Sequence, residues 1–171
     1  MSVDPALLGL AARVGQRALA AGRRIVTAES CTGGWIAKAL TDIPGSSQWF
    51  ECGYVTYSNA AKMRDLGVAA ATLERHGAVS EQTVRAMAAG ALRVSAADLA
   101  LAVSGVAGPD GGTAGKPVGT VWLCVTARRG RSLQVLTEER HFRGDRAAVR
   151  SRSVRRALEM LLRLELRPRA V

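Results

Sequence analysis

Hydrophobic and polar positions divide this chain into alternating helical and extended stretches. Asp4-Pro5 reads as a cap followed by proline in a first helical turn. Leu7, Leu8, Leu10, Ala11, Val14, Ala18 and Leu19 then recur at helical spacing as far as Gly22. Arg24–Ala28 is a short apolar strand. It enters Glu29-Ser30-Cys31-Thr32-Gly33-Gly34, and a helix is expected over Trp35–Leu40. Pro44–Ser47 is a turn, and Gly53–Tyr57 has strand composition. Short helices are expected over Asn59–Leu66 and Ala71–Arg75. Ser80 caps a longer helix with its apolar face at Val84, Met87, Ala88, Ala91 and Leu92.

Leu99–Val103 is continuously apolar, as in a strand covered on both faces. A glycine-rich loop, Gly105–Gly115, follows. Two strands, Gly119–Ala127 and Ser132–Arg140, flank the turn Arg128–Arg131, and a helix over Arg146–Leu166 closes the chain. Its Val154, Ala157, Leu158, Leu161 and Leu162 face inward. The order predicts an α/β fold: a three-layer α/β/α sandwich with a mixed, largely parallel sheet, formed by residues 1–171 as a single domain. Ligands of such sheets bind beyond the carboxyl ends of the strands. Three polar or glycine-rich segments, residues 29–34, 57–62 and 104–112, fall there.

Composition narrows the classes. With 171 residues, 48% hydrophobic and 22% charged, the chain can bury a core and is neither disordered nor fibrous. No apolar run is long enough to span a bilayer, and residues 1–24 lack the form of a signal peptide, so no membrane partner is expected. Three cysteines, Cys31, Cys52 and Cys124, match no zinc or redox spacing, and a reducing, cytoplasmic compartment is expected. The net charge of +10 is concentrated at the C-terminal end: residues 128–171 hold 13 Arg against 5 Asp+Glu. Arginine suits phosphate recognition, but that terminal helix has a core face and the chain has only seven aromatics, so a nucleic-acid partner is not expected.

A strand-to-helix turn such as Glu29–Gly34 can expose a hydroxyl beside free amides that would receive a negative oxygen. Ser30 there is a nucleophile or simply a helix cap. Cys31 is better read as a packed thiol. Only His76 and His141 could serve as an imidazole base, and neither is well placed. Of three lysines, Lys62 follows a strand end, where burial could free its amine to act as a base. The run Ser104–Gly112 could approach an anion, and Arg143-Gly144-Asp145-Arg146 opens a helix with both amides and guanidinium groups to offer. No carboxylate pair, HxxxH or CxxC supports a metal, so neither a metal site nor a cofactor is expected.

Six motifs in order then carry a resemblance: TAESCTGG (27–34), GYVTYSN (53–59), GAVSE (77–81), SGVAGP (104–109), KPVGTVW (116–122) and GDR (144–146). Together they resemble the C-terminal domain of the CinA (competence/damage-inducible) family over roughly residues 8–165. The resemblance implies a nicotinamide-nucleotide amidase, hydrolysing the carboxamide of nicotinamide mononucleotide to nicotinate mononucleotide and ammonia in pyridine nucleotide salvage. It implies Ser30 as nucleophile, Lys62 as general base and Tyr57 as a supporting hydroxyl. The amides of Cys31, Thr32, Gly33 and Gly34 would hold the oxyanion. Asn59, Ser104, Gly105, Gly108, Gly112 and Arg146 would line the nucleotide pocket, and a homodimer is the family expectation. The competing classes are a non-catalytic nucleotide-binding module and a competence or DNA-damage interaction module.

Overall fold

The computed structural model describes residues 4–130, 132–164 and 166. In chain order its elements are α1 (Pro5–Ala20), β1 (Ile25–Glu29), α2 (Trp35–Thr41), β2 (Phe50–Val55), α3 (Asn59–Leu66), α4 (Ala70–His76) and α5 (Glu81–Val94). These are followed by β3 (Leu99–Gly105), β4 (Thr120–Arg129), β5 (Ser132–His141) and α6 (Arg146–Arg163). The strands form one sheet in the order β2-β1-β3-β4-β5. β1 pairs in parallel with both β2 and β3, while β3–β4 and β4–β5 are antiparallel. The sheet is therefore mixed, with its parallel half around β1.

Alternation along the strands separates two cores. Ile25, Leu99, Leu101, Val103, Val121, Leu123 and Val125 point to one face, which α1, α2 and α6 cover. Val26, Ala28, Ala100, Ala102 and Cys124 point to the other, covered by α3, α4 and α5. The second face is built of small side chains, so its helices lie close. A Cβ at Gly90 of α5 would stand 2.1 Å from the Leu66 carbonyl oxygen of α3.

Local chemistry sets the helix starts. Asp4, Ser58, Ser80 and Asp145 each accept a hydrogen bond from a backbone N–H two or three residues on. Gly67 ends α3 in the left-handed conformation at φ +63°.

β2 differs from the sequence expectation: it starts three residues earlier and ends before Thr56. Phe50 pairs with Ile25. Glu51 looks unlike a strand residue, yet its carboxylate meets Arg24 at 2.9 Å. Thr56 then leaves the ladder, giving only its N–H to the Glu29 carbonyl at 2.9 Å. Tyr57 is consequently a connector residue between β2 and α3. α6 ends at Arg163 rather than Leu166, and Arg131, at the tip of the expected 128–131 turn, lies outside the described residues.

Candidate active site

The carboxyl ends of β1 and β2 deliver two segments to one place. β1 ends at Glu29, and the turn Ser30–Gly34 leads into α2. β2 ends at Val55, and the connector Thr56–Ser58 leads into α3, with Lys62 one turn inside it. Lys62 has no exposed surface, and Ser30 is 9% exposed. The Lys62 Nζ lies 3.0 Å from Ser30 Oγ, 2.7 Å from the Thr56 carbonyl oxygen and 3.3 Å from that of Tyr57.

Burying an ammonium without a carboxylate partner disfavours its charge. Three oxygen contacts do not compensate, and burial brings the Lys62 pKa down from 10.5 to about 8. The three oxygens match the three N–H groups of an ammonium, and they also match the neutral amine, with two N–H groups and one lone pair, when the Ser30 hydroxyl donates. Two carbonyls are present for the two N–H groups, and the lone pair is left for the Ser30 hydroxyl.

The main-chain groups of the turn can be followed one by one. Ser30 N–H donates to the Val103 carbonyl at 3.0 Å, and Gly33 N–H to the Ser30 carbonyl at 3.0 Å. Gly34 N–H donates to the Glu29 carboxylate at 3.0 Å. Among the described residues this leaves the consecutive N–H groups of Cys31 and Thr32 without a hydrogen-bond partner on any other residue. The expectation that all four amides from 31 to 34 could receive an oxyanion is thus narrowed to two. Gly33 and Gly34 instead supply the backbone bend, at φ +62° and +90°, which side-chain-bearing residues rarely adopt.

The other anticipated residues divide. Cys31 is buried, and burial raises its thiol to about 12, so it is a packed, unreactive group. Tyr57 sends its carbonyl toward Lys62. Its hydroxyl accepts from Arg146 Nη2 at 2.9 Å, and the residue is 59% exposed. A chemical role for that hydroxyl on the Ser30–Lys62 pair finds no contact here. Arg146, at the start of α6, also donates through Nη1 to the Gly108 carbonyl at 2.9 Å, tying the glycine loop to Tyr57.

Ser104 is buried at the end of β3, next to Gly105, where a Cβ would meet Val121 at 2.7 Å. Asn59 is exposed in the first turn of α3, and Gly112 is exposed in the loop against Val118. Lys116 anchors the same loop, donating to the His76 carbonyl at 2.7 Å.

Sequence reasoning passed over two residues. Glu29, fully buried, accepts from Thr32 Oγ1 and from the N–H groups of Gly34, Ile36 and Ala37. Arg150 of α6 donates to the Thr32 carbonyl at 2.8 Å and lies 5.5 Å from the centre of the Trp35 ring. A carboxylate directly before a Ser-x-Thr-Gly-Gly turn was a visible signal for the first. Nothing local marked the second, whose partner is 118 residues away. Among the described residues no group of three His, Cys, Asp or Glu side chains could hold a metal ion, and no helix is long and apolar enough to cross a membrane.

The whole arrangement has relatives. A family model described as the CinA C-terminal domain matches residues 8–164. The chain is 52% identical over 158 residues to the nicotinamide-nucleotide amidohydrolase PncC of Escherichia coli (strain K12), covering 92% of this chain and 94% of that one. It is 53% identical over 162 residues to the protein of the same name from Pseudomonas putida, covering 95% and 98%. Among solved structures, the competence/damage inducible protein CihA from Agrobacterium tumefaciens superimposes with a TM-score of 0.90 at 49% identity. That match covers 95% of this chain and 98% of the other. With its sheet, its two parallel strand ends and nearly its full length matched in this way, the chain belongs to the CinA C-terminal domain family.

Proposed function

We propose that this protein is a nicotinamide-nucleotide amidohydrolase in which Ser30 is the nucleophile and Lys62 the general base. The observation that carries the reading is the buried 3.0 Å contact between Lys62 Nζ and Ser30 Oγ, with no carboxylate to hold the lysine charged. Neutral Lys62 takes the Ser30 proton as Oγ attacks the carboxamide carbon of nicotinamide mononucleotide. The Cys31 and Thr32 N–H groups receive the developing oxyanion. Lys62 then passes the proton to the departing nitrogen, ammonia leaves, and an ester to Ser30 remains. Water, deprotonated by Lys62, cleaves that ester to nicotinate mononucleotide and restores the hydroxyl. No step calls on a metal or a cofactor.

The Tyr57–Arg146–Gly108 tie is a fitting edge for the nucleotide phosphate, with Arg146 offering a forked cation and Asn59, Ser104, Gly105 and Gly112 as further lining. Names of the relatives support this substrate class. The reading places the enzyme in pyridine nucleotide salvage in the cytoplasm, as one domain acting as a homodimer. One continuous five-stranded sheet is in keeping with a single domain, and three free cysteines with a reducing compartment. The arginines of α6 favour a small-molecule enzyme over a polyanion binder, because many are occupied within the fold. Arg155 pairs with Asp4, Arg156 with Glu138 and Glu159, and Arg163 with Glu138.

The test is ammonia release from nicotinamide mononucleotide in metal-free buffer, with Ser30→Ala beside the parent. Activity confined to the parent supports both the reaction and the nucleophile. Equal activity in both removes Ser30 from the mechanism. Silence in both, with nucleotide binding by titration, turns the reading to a binding module.

A further inference from the structure

Glu29 is the last residue of β1 and the immediate neighbour of Ser30, yet its side chain belongs to the segment that follows. One carboxylate oxygen accepts from Thr32 Oγ1 at 2.6 Å, Gly34 N–H at 3.0 Å and Ile36 N–H at 3.0 Å. The other accepts from Ala37 N–H at 2.8 Å. An ordinary cap sits directly before its helix and bonds two or three residues on. Glu29 reaches five, seven and eight residues forward, so its side chain closes the whole turn from Ser30 to Gly34 into a loop around itself. All four partners are donors. Only an ionised carboxylate offers that many acceptor sites with no donor of its own.

The main chain of the same residue is held as well, since its carbonyl accepts from Thr56 N–H at 2.9 Å. That bond joins the turn to the connector whose carbonyls contact Lys62. From the outer face Arg150 holds the Thr32 carbonyl. Ser30 N–H is given to Val103 and the Ser30 carbonyl accepts from Gly33 N–H, so a hydrogen bond holds the peptide on either side of Ser30. By occupying the Gly34, Ile36 and Ala37 amides, the carboxylate also limits the open N–H groups to those of Cys31 and Thr32.

We propose that Glu29 is a positioning residue for Ser30: its four-fold bonded carboxylate sets the direction of the Ser30 side chain toward Lys62 and selects the Cys31 and Thr32 amides as the oxyanion donors. The inference rests on the Ser30 nucleophile proposed above. Glutamine at this position keeps the shape but turns an NH2 group against one of the four donors, so Glu29→Gln perturbs the turn without emptying the space.

The experiment compares the parent with Glu29→Gln, Thr32→Val and Thr32→Ser. The rate of covalent labelling by a fluorophosphonate, which phosphonylates a reactive serine hydroxyl with loss of fluoride, is followed by intact mass and peptide mapping to Ser30. Ammonia release from nicotinamide mononucleotide supplies kcat and KM. Glu29→Gln is expected to lower both the labelling rate and kcat by 30-fold or more, with KM within about threefold. Thr32→Val, which removes one of the four bonds, is expected to lose about fivefold, and Thr32→Ser to restore the parent rate.

Leu92→Ala, which empties space in the core between α5 and the sheet, separates positioning from stability. It is expected to lower the melting temperature at least as far as Glu29→Gln and leave labelling unchanged. Folded Glu29→Gln that labels within threefold of the parent overturns the proposal. If Glu29→Gln does not fold, Thr32→Val labelling at the parent rate overturns it. Parent protein that labels at Ser30 but releases no ammonia refutes the amidase reading while the labelling ratios still decide the role of Glu29. A parent that does neither refutes both.

Discussion

The lysine on which the proposed chemistry depends should make this protein gain stability as the pH rises. In the unfolded chain Lys62 titrates at its ordinary 10.5; in the fold burial brings it to about 8. Between those values the unfolded state binds the extra proton, and stability therefore rises with pH across that window. The contribution is complete above 10.5 and is lost as the pH falls through 8. A separation of that size corresponds to about 3 kcal/mol at most, of which about 2 kcal/mol falls between pH 7 and pH 10.

Other groups titrate over the same range, so the measurement is a difference. Urea unfolding of the parent and of Lys62→Met is carried out at pH 7, 8, 9 and 10, and the gap between the two free energies is plotted. The parent is expected to gain about 2 kcal/mol on Lys62→Met over the series. The opposing effect is the set of three oxygen contacts, which would favour an ammonium if they outweighed desolvation. A flat plot would mean that they balance it and that Lys62 titrates as an ordinary lysine. A falling one would mean that they win. Either result would refute the neutral base.

Three further outcomes follow from other parts of the molecule. The kcat/KM for nicotinamide mononucleotide should rise with pH to a plateau with its midpoint near 8, since only about a tenth of Lys62 is neutral at pH 7; a profile flat from pH 6 to 9 would contradict this. Arg146→Ala should raise KM for the mononucleotide about tenfold, leave kcat within about threefold, and leave KM for the riboside unchanged, as steady-state assays on the two substrates would show. Gly90→Ala should cost about 3 kcal/mol in urea unfolding, because its Cβ would stand 2.1 Å from a backbone oxygen that cannot swing away; an unchanged midpoint would show that α3 and α5 are free to separate.

What the sequence made legible was local or periodic. The caps at Asp4, Ser80 and Asp145 bond within three residues. The unbroken apolar run from Leu99 to Val103 is a matter of neighbours, so the helices and the central strand could be found by inspection. Ser30 and Lys62 were legible as positions after two strand ends, and the family resemblance paired them. What could not be read is where side chains travel. The Glu29 carboxylate passes over its own neighbours to amides of α2. Arg150 reaches across the chain to Thr32. The Tyr57 hydroxyl turns to Arg146 instead of to the lysine. The start of β2 was missed because Glu51 breaks the apolar pattern, and its partner Arg24 sits on the other strand's approach. Pattern reports which face a residue prefers, and these are choices of partner.

Burial of Lys62 also has a consequence for folding. Its amine becomes basic in the useful sense only when water has been expelled, and that requires β1 and β2 to pair across the α2 crossover and α3 to settle over the sheet. The ties that hold Ser30 in place are longer still: Val103 lies 73 residues beyond it, and Arg150 bonds a residue 118 positions earlier. Closing contacts of such sequence separation costs chain entropy that local contacts do not. Until these distant contacts form, Ser30 has neither its fixed main chain nor a buried amine beside it. The pairing of a fixed serine with a buried amine is therefore a property of the whole fold and not of the strand-turn-helix segment that carries the two residues.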